Sequence, residues 1–288
     1  AEVIKVEDPD GDPLRAIPPL LTKSDIESQS ALNAWLNTNK RNVTLGSKRF
    51  EEHAWLSRLA KTCDVVLDAR ALNEGIEVLK RPVYGTSEAN NRDNEPIEVC
   101  LTWFGETGPY SKFVGSPAVC RALAGAVYGC GAVEGPPHLP HDVQTEIVAG
   151  IGAFSSAISA LLGESEGSRR YVLSIHELAF SVVEMEAGMV QDSRHLKARL
   201  GVNRFCTTHP GGIYKTKQGW IGLFAHTGPQ WTALCSAVGR PELAHDPRFM
   251  SGPTRIKHAN DIDQFLLPAL LTKTAQEWFE ELGKAKFP

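Results

Sequence analysis

The stretch from Asn42 to Asp68, "NVTLGSKRFEEHAWLSRLAKTCDVVLD", reads as strand, helix, strand. Its ends, Asn42 to Leu45 and Asp64 to Asp68, are short runs rich in β-branched residues, which suit a pleated surface. Between them Trp55, Leu56, Leu59 and Cys63 recur at the spacing of one helix face. Strands joined through a helix run parallel, so this unit predicts an α/β protein with a parallel sheet and crossover helices. "EVIKV" (Glu2 to Val6) and "IEVCL" (Ile97 to Leu101) have the same composition and supply two further strands.

Beyond this region, from Ser116 to about Val190, the pattern turns mostly helical. Ser116 is a natural N-cap with Pro117 at the first helical position. A second helix begins near Glu146 with Thr145 as its cap. It reads as a buried helix, with Ile147, Ile151, Phe154, Ile158 and Leu161 or Leu162 on one stripe and small residues between. After Val202, "GGIYKTKQGWIGLF" predicts a hairpin of strands Ile213 to Thr216 and Trp220 to Phe224. Pro229 opens a helix carrying Trp231, Leu234, Cys235 and Val238 and closed by Gly239. Thr274 and Glu277 form a capping box for a last helix that Gly283 is expected to end.

Composition narrows the function classes. The 288 residues carry a net charge of -4, so no global basic field recommends nucleic acid as a partner. The six cysteines are scattered without a C-x-x-C pair, which predicts reduced thiols in an intracellular protein and no zinc centre. No apolar run approaches the ~20 residues that span a bilayer, and "AEVIKVEDPDGD" has no signal-peptide character, so no membrane partner is expected. The expected location is the cytoplasm, or a mitochondrial or peroxisomal matrix after loss of a presequence.

Three local motifs do not carry chemistry. "GESEG" (Gly163 to Gly167) has the glycine-serine-glycine spacing of a nucleophile elbow, but a helix precedes it and a β-rich run follows, the reverse of the required order. Ser165 therefore reads as part of a polar turn. "GCGAVEG" (Gly129 to Gly135) has the wrong glycine spacing for a dinucleotide loop. His138, His141 and Asp142 are separated by Pro137 and Pro140, which forbid the helix that would bring the histidines to one face. Glu146 is more informative. In a first helical turn the dipole favours a carboxylate by about 0.3 to 1 kcal/mol, which alone explains a glutamate, while Gly150 one turn later opens the same face to a substrate.

The order of segments is the stronger signal. "AEVIKVEDPDGDPLR", "LNTNKRNVTL", "DVVLDAR", "FGETGPY", the double proline, "YVLSIHELAF", "GGIYKTKQGWIGL" and "HDPRF" with Arg255 follow one another in the order that resembles the family III CoA-transferases. That superfamily also holds formyl-CoA and carnitine/bile-acid CoA-transferases and the α-methylacyl-CoA racemases. The resemblance covers essentially the whole chain, although family members carry another strand and helix before it and continue beyond it. It implies a Rossmann-like large domain with a parallel sheet and helices, here residues 1–199, and a smaller α+β domain, here 200–288. It also implies an interlocked homodimer.

The resemblance also implies a site. In the transferases an aspartate after the double proline, four residues before a glycine, attacks the acyl-CoA thioester. Counting from Pro136 and Pro137 to Gly150, that position is Glu146. A glutamate forms the same kind of anhydride and thioester, with its oxygen displaced by one carbon bond, ~1.5 Å. Gly105 and Gly108 of "FGETGPY" would line the thioester end and offer backbone amides to the oxyanion. Arg15, Lys40, Arg41, Arg70 and Tyr110 form the expected CoA-binding set. Coenzyme A and acyl-CoA enter as substrates beside a small carboxylic acid, with no permanently bound cofactor and no metal. Racemisation needs a proton-transfer pair, but Ser116 and Pro117 stand where the racemase motif has its His-Asp dipeptide. A racemase, a repurposed enzyme of the same superfamily and a non-catalytic scaffold are the alternatives.

Overall fold

A computed structural model describes residues 1–23, 26–45, 50–84, 95–139, 143–163, 169–193, 199–204 and 208–287. Ser165, His141 and Asp142, singled out above, lie outside the described residues. The chain forms two compact units, one of residues 1–114 with 151–173, the other of residues 115–150 with 174–288.

The first unit opens with β1 (Ile4–Glu7), the antiparallel pair β2 (Leu20–Lys23) and β3 (Ile26–Ser30), helix α1 (Ala31–Leu36) and β4 (Arg41–Thr44). β4 lies parallel to β1, with Ile4 opposite Arg41 and Glu7 opposite Thr44. Next come α2 (Phe50–Ala60), β5 (Val65–Asp68), the short α3 (Ala71–Glu74) and β6 (Ile97–Thr102). β5 and β6 are parallel, as the alternation of strand and helix predicts. The expected strands stand within two residues of their predicted bounds, but they are shared between a two-stranded and a three-stranded sheet rather than lying in one. Helices α4 (Pro117–Leu123) and α5 (Gln144–Leu162) follow, and β7 (Arg170–Ser174) completes the sheet β5-β6-β7.

Helix α5 corrects the sequence reading in three respects. Its face toward the sheet is the alanine face: Ala153 and Ala157 are buried with Ile97 and Val99 of β6. The large apolar residues point outward, with Ile151 60%, Phe154 64% and Leu162 81% exposed. Alanine lets a helix backbone approach a sheet closely, so the small residues take the inner position. Thr145 does not cap the helix but lies inside its first turn, because Ile147 already bonds back to the Val143 carbonyl at 3.0 Å. Lastly, at 19 residues the helix is long and apolar enough to cross a bilayer by length and composition, although no apolar run of that size was expected; core helices of soluble proteins pass the same test.

The second unit has one large core under the hairpin of β8 (Gly211–Lys215) and β9 (Trp220–Phe224). Tyr214, Ile221 and Leu223 alternate inward, as period two requires, while Ile213 and Trp220 face out. After α6 (Ile175–Ser181) and α7 (Glu184–Ser193), the helices α8 (Gly228–Ala237), α9 (Gly252–Lys257), α10 (Ala259–Leu270) and α11 (Ala275–Lys284) follow the hairpin. α8, α10 and α11 bury Trp231, Leu234, Ile262, Leu266, Leu270 and Trp278 in this core. The predicted capping box of Thr274 and Glu277 is present. Gly283, however, lies inside α11, and the left-handed residue after the helix is Lys286 at φ 54°. The five described cysteines form no disulfide with one another; Cys100, Cys120 and Cys235 are buried, and Cys63 and Cys130 are partly exposed.

Candidate active site

In the first unit, three of the expected CoA-binding cations meet. α1 presents Asn33 and Asn37, and the chain then turns through Asn39 at φ 63°, a conformation asparagine tolerates better than most side chains. That turn delivers Lys40 and Arg41 to the start of β4. With Arg15 they line a hollow of about 180 Å³ that also includes Lys5 and the three asparagines 33, 37 and 42. Lys40 Nζ donates to Asn37 Oδ1 at 3.2 Å, and Arg41 reaches out to Glu2 at 2.7 Å. Arg15 also lines a more open hollow of about 550 Å³ with Asp10, Asp12 and Leu20.

The floor of the smaller hollow is a closed charge system. Arg15 Nε and Nη2 grip the two Glu7 oxygens at 3.0 and 3.1 Å, and Lys5 Nζ lies 3.1 Å from Glu7 while also binding Asp12. The Arg15 hydrogen bonds, with Lys5 adding to them, hold the Glu7 carboxyl down at about 2, below its ordinary 4.5. A depressed carboxyl stabilises the fold above the unfolded value and loses that contribution as pH falls through the folded one. We expect stability of this unit to drop between pH 4.5 and about 2, and Arg15→Ala to flatten the drop, as acid titration of circular dichroism will read.

Arg70 is engaged elsewhere. It grips Asp68 with Nε and Nη2 at 2.9 and 2.7 Å and donates to the Arg81 carbonyl at 2.9 Å. Next to this pair, Glu98 of β6 is fully buried, accepts from Val83 N–H at 3.0 Å and lies 3.1 Å from Arg170 Nε on β7. Asp68, Glu98 and Cys100 bring their ligand atoms within 4.8 Å of one another, but Arg70 and Arg170 already neutralise the two carboxylates. Burial pushes the Cys100 thiol up to about 11, so it stays protonated. The cluster ties β5, β6 and β7 together.

The "FGETGPY" loop leaves β6 through two glycines with left-handed backbones, Gly105 at φ 85° and Gly108 at φ 91°, where a side chain would be strained. Gly105 N–H donates to Thr102 Oγ1 at 2.8 Å, and that hydroxyl in turn donates to the Leu173 carbonyl. Among the described residues nothing accepts from the exposed Gly108 N–H. Tyr110 is half-exposed between Phe104 and Phe113, with ring centroids 6.0 and 5.5 Å away. Glu106 extends to 3.6 Å from Arg170, which links the loop to the buried charge cluster.

Glu146 belongs to the second unit, exposed in the first turn of α5, and Gly150 one turn on is exposed with nothing within 4 Å of where a Cβ would stand. The turn is braced from α4. Ser116 caps α4 by accepting from Val119 N–H, Pro117 takes its first position, and Arg121 on its last turn donates from Nε to Thr145 Oγ1 at 3.0 Å. Ahead of α5, Arg199 gathers the carbonyls of Tyr128, Ala132 and Gly135, and Gly131 packs where a Cβ would come within 3.1 Å of the His138 ring. The glycine-rich "GCGAVEG" segment is thus a folded structural loop, consistent with its unsuitable glycine spacing.

The structure therefore brings Arg15, Lys40 and Arg41 to one hollow, sets Gly105, Gly108 and Tyr110 on one loop, and occupies Arg70 with Asp68. Sequence reasoning missed Glu98, Arg170 and Arg121, and took Thr145 for a helix cap only. For Glu98 a signal existed: a glutamate inside the apolar run "IEVCL" needs a buried cation.

A sequence profile described as CoA-transferase family III matches residues 1–288. Among curated relatives, a probable fatty acyl-CoA transferase of Mycobacterium tuberculosis is 28% identical over 98% of this chain and 73% of its own length. A succinyl-CoA:D-citramalate CoA-transferase of Chloroflexus aurantiacus is 27% identical, with 96% of this chain and 68% of the relative covered. The human succinyl-CoA:glutarate CoA-transferase is 23% identical, covering 96% and 62%. The chain spans between 55 and 73% of the length of such relatives. Of solved structures, an orthorhombic form of the Mycobacterium tuberculosis protein superposes with a TM-score of 0.71 at 26% identity, covering all of this chain and 75% of the other. A CAIB/BAIF family protein from Brucella suis gives 0.74 at 21% identity, with the same coverage.

Proposed function

The chain belongs to family III of the CoA-transferases, and from that membership we propose that it moves coenzyme A from an acyl-CoA donor to a small carboxylic acid through Glu146. A Glu146 oxygen attacks the thioester carbon and expels the CoA thiolate, leaving a mixed anhydride. The thiolate returns to the glutamyl carbonyl, releasing the donor acid and forming a glutamyl-CoA thioester. The acceptor carboxylate then attacks this thioester to form a new anhydride, and the thiolate takes the acceptor's acyl group, restoring Glu146.

The observation that carries this reading is the convergence of Arg15, from one sequence segment, and the adjacent Lys40 and Arg41, from another, on one hollow. Phosphate groups call for such a set of cations. Glu7 and Asp12 hold Arg15 and Lys5 in a part-buried network, whereas the ion pair of Arg41 with Glu2 stands in solvent, so Lys40 and Arg41, on the exposed rim, are the cations we assign to the phosphates. Arg15 shapes the floor beneath them, and the Gly108 amide is our assigned donor to the oxyanion, Gly105 being committed to Thr102. The test is thermal: saturating CoA at about a hundred times Kd stabilises by about 2.7 kcal/mol, a rise of several degrees in Tm. Lys40→Ala with Arg41→Ala is expected to weaken CoA binding about tenfold to a hundredfold. An unchanged Tm with CoA, or a shift indifferent to these substitutions, overturns the reading.

The same proposal includes a homodimer. Its support is the outward stripe of α5, whose Ile147, Ile151, Phe154, Ile158, Leu161 and Leu162 are all exposed in the single chain.

A further inference from the structure

We infer that Arg121 and Thr145 form a positioning clamp for Glu146, an inference that rests on Glu146 being the nucleophile. Arginine is seldom buried unless its charge and donors are used, yet Arg121 is only 4% exposed, and so is Thr145. Their bond, Nε to Oγ1 at 3.0 Å, joins the last turn of α4 to the first turn of α5. The same threonine hydroxyl lies 3.4 Å from the Pro117 carbonyl, so two points of α4 hold one side chain.

Thr145 immediately precedes Glu146, and its β-branched side chain is stiff about χ1. A bond fixed on Oγ1 therefore fixes the rotation of the turn itself, and with it the direction in which the next residue leaves the helix, about 100° further round. Attack on a thioester requires this control, since a displacement of ~1 Å costs about a hundredfold. A glutamate has one more rotatable bond than an aspartate, so scatter at its oxygen grows with any looseness of the base. The clamp acts on the base.

Thr145→Val keeps the side-chain shape and removes the bond; Arg121→Gln removes it from the other side, and Arg121→Lys keeps the charge. In the full chain we expect Thr145→Val and Arg121→Gln each to slow formation of the glutamyl adduct in a single turnover by about tenfold to a hundredfold. KM for acyl-CoA should stay within about twofold, and the double variant should be slowed by less than the product of the two single effects, because the variants share the loss of the Nε–Oγ1 contact. Arg121→Lys should recover part of the rate. A Thr145→Val protein that folds and forms adduct at the parent rate overturns the clamp while leaving Glu146 as nucleophile. A rate loss that merely tracks a fall in Tm also overturns it. Failure of the parent protein to form any adduct overturns both readings.

Discussion

Glu146→Gln is expected to end CoA transfer. The amide keeps the size of the side chain and its place in the first turn of α5, but it has no anionic oxygen to attack a thioester. Losing a covalent nucleophile lowers kcat by about 10⁴-fold or more, with binding left largely intact. The parent protein, mixed with acyl-CoA and quenched with hydroxylamine, should gain the mass of a hydroxamate on the peptide containing Glu146. The glutamine variant should gain nothing. Glu146→Asp draws the oxygen back by one carbon bond, ~1.5 Å, and is expected to retain a small fraction of the rate. Full turnover by Glu146→Gln sinks the mechanism, and exchange of an α-proton for deuterium without adduct moves the protein to the racemase alternative.

The largest stability effect is expected at Arg255. This arginine on α9 is 1% exposed and has no carboxylate partner among the described residues. Instead Nε donates to the His209 carbonyl at 2.9 Å, Nη1 to Phe249 at 3.0 Å, and Nη2 to Ala225 at 2.8 Å and Thr208 Oγ1 at 3.1 Å. The guanidinium also lies 5.1 Å from the centre of the Trp231 ring, a cation–π contact in a desolvated setting. Arg255 thus joins the residues before β8, the end of β9 and the segment before α9. Arg255→Met fills much of the volume but orphans the buried carbonyls of His209 and Phe249, Ala225 keeping the Thr208 hydroxyl, at about 1–3 kcal/mol for each. We expect a net loss of about 3–5 kcal/mol and a Tm lower by about 10 °C. Arg255→Lys should recover little, since an ammonium on a flexible stem does not match acceptors arranged around a planar fork. A fall in Tm under about 3 °C would show that the carbonyls find other donors.

Both residues stood in the sequence in different lights. Arg255 was visible as part of a family pattern, without any hint that its partners are carbonyls from distant segments. Glu146 was visible through the spacing from the double proline to Gly150, but the brace behind it was not. Arg121 and Thr145 are 24 residues apart, and no short-range pattern couples them.

Local chemistry was legible wherever the deciding contacts span only a few residues. Ser116 caps α4, and Thr274 and Glu277 cap α11, because each cap closes within one turn. The β8–β9 hairpin follows for the same reason. Gly283 shows the limit: a glycine favours a helix end, but α11 continues through it and the chain turns at Lys286 instead.

By itself the sequence determined the strands β1, β4, β5 and β6 and the parallel sense of their pairing, the β8–β9 hairpin, and the position of the acidic residue in the first turn of α5. Only the tertiary structure decided which face of α5 is inward, which carboxylate each arginine holds, and which cations meet at one hollow. Periodicity tells which side chains share a face, and charge tells what a residue needs. The choice of face and partner depends on backbones from far along the chain meeting closely enough that alanine fits and leucine does not, a quantity set by packing alone.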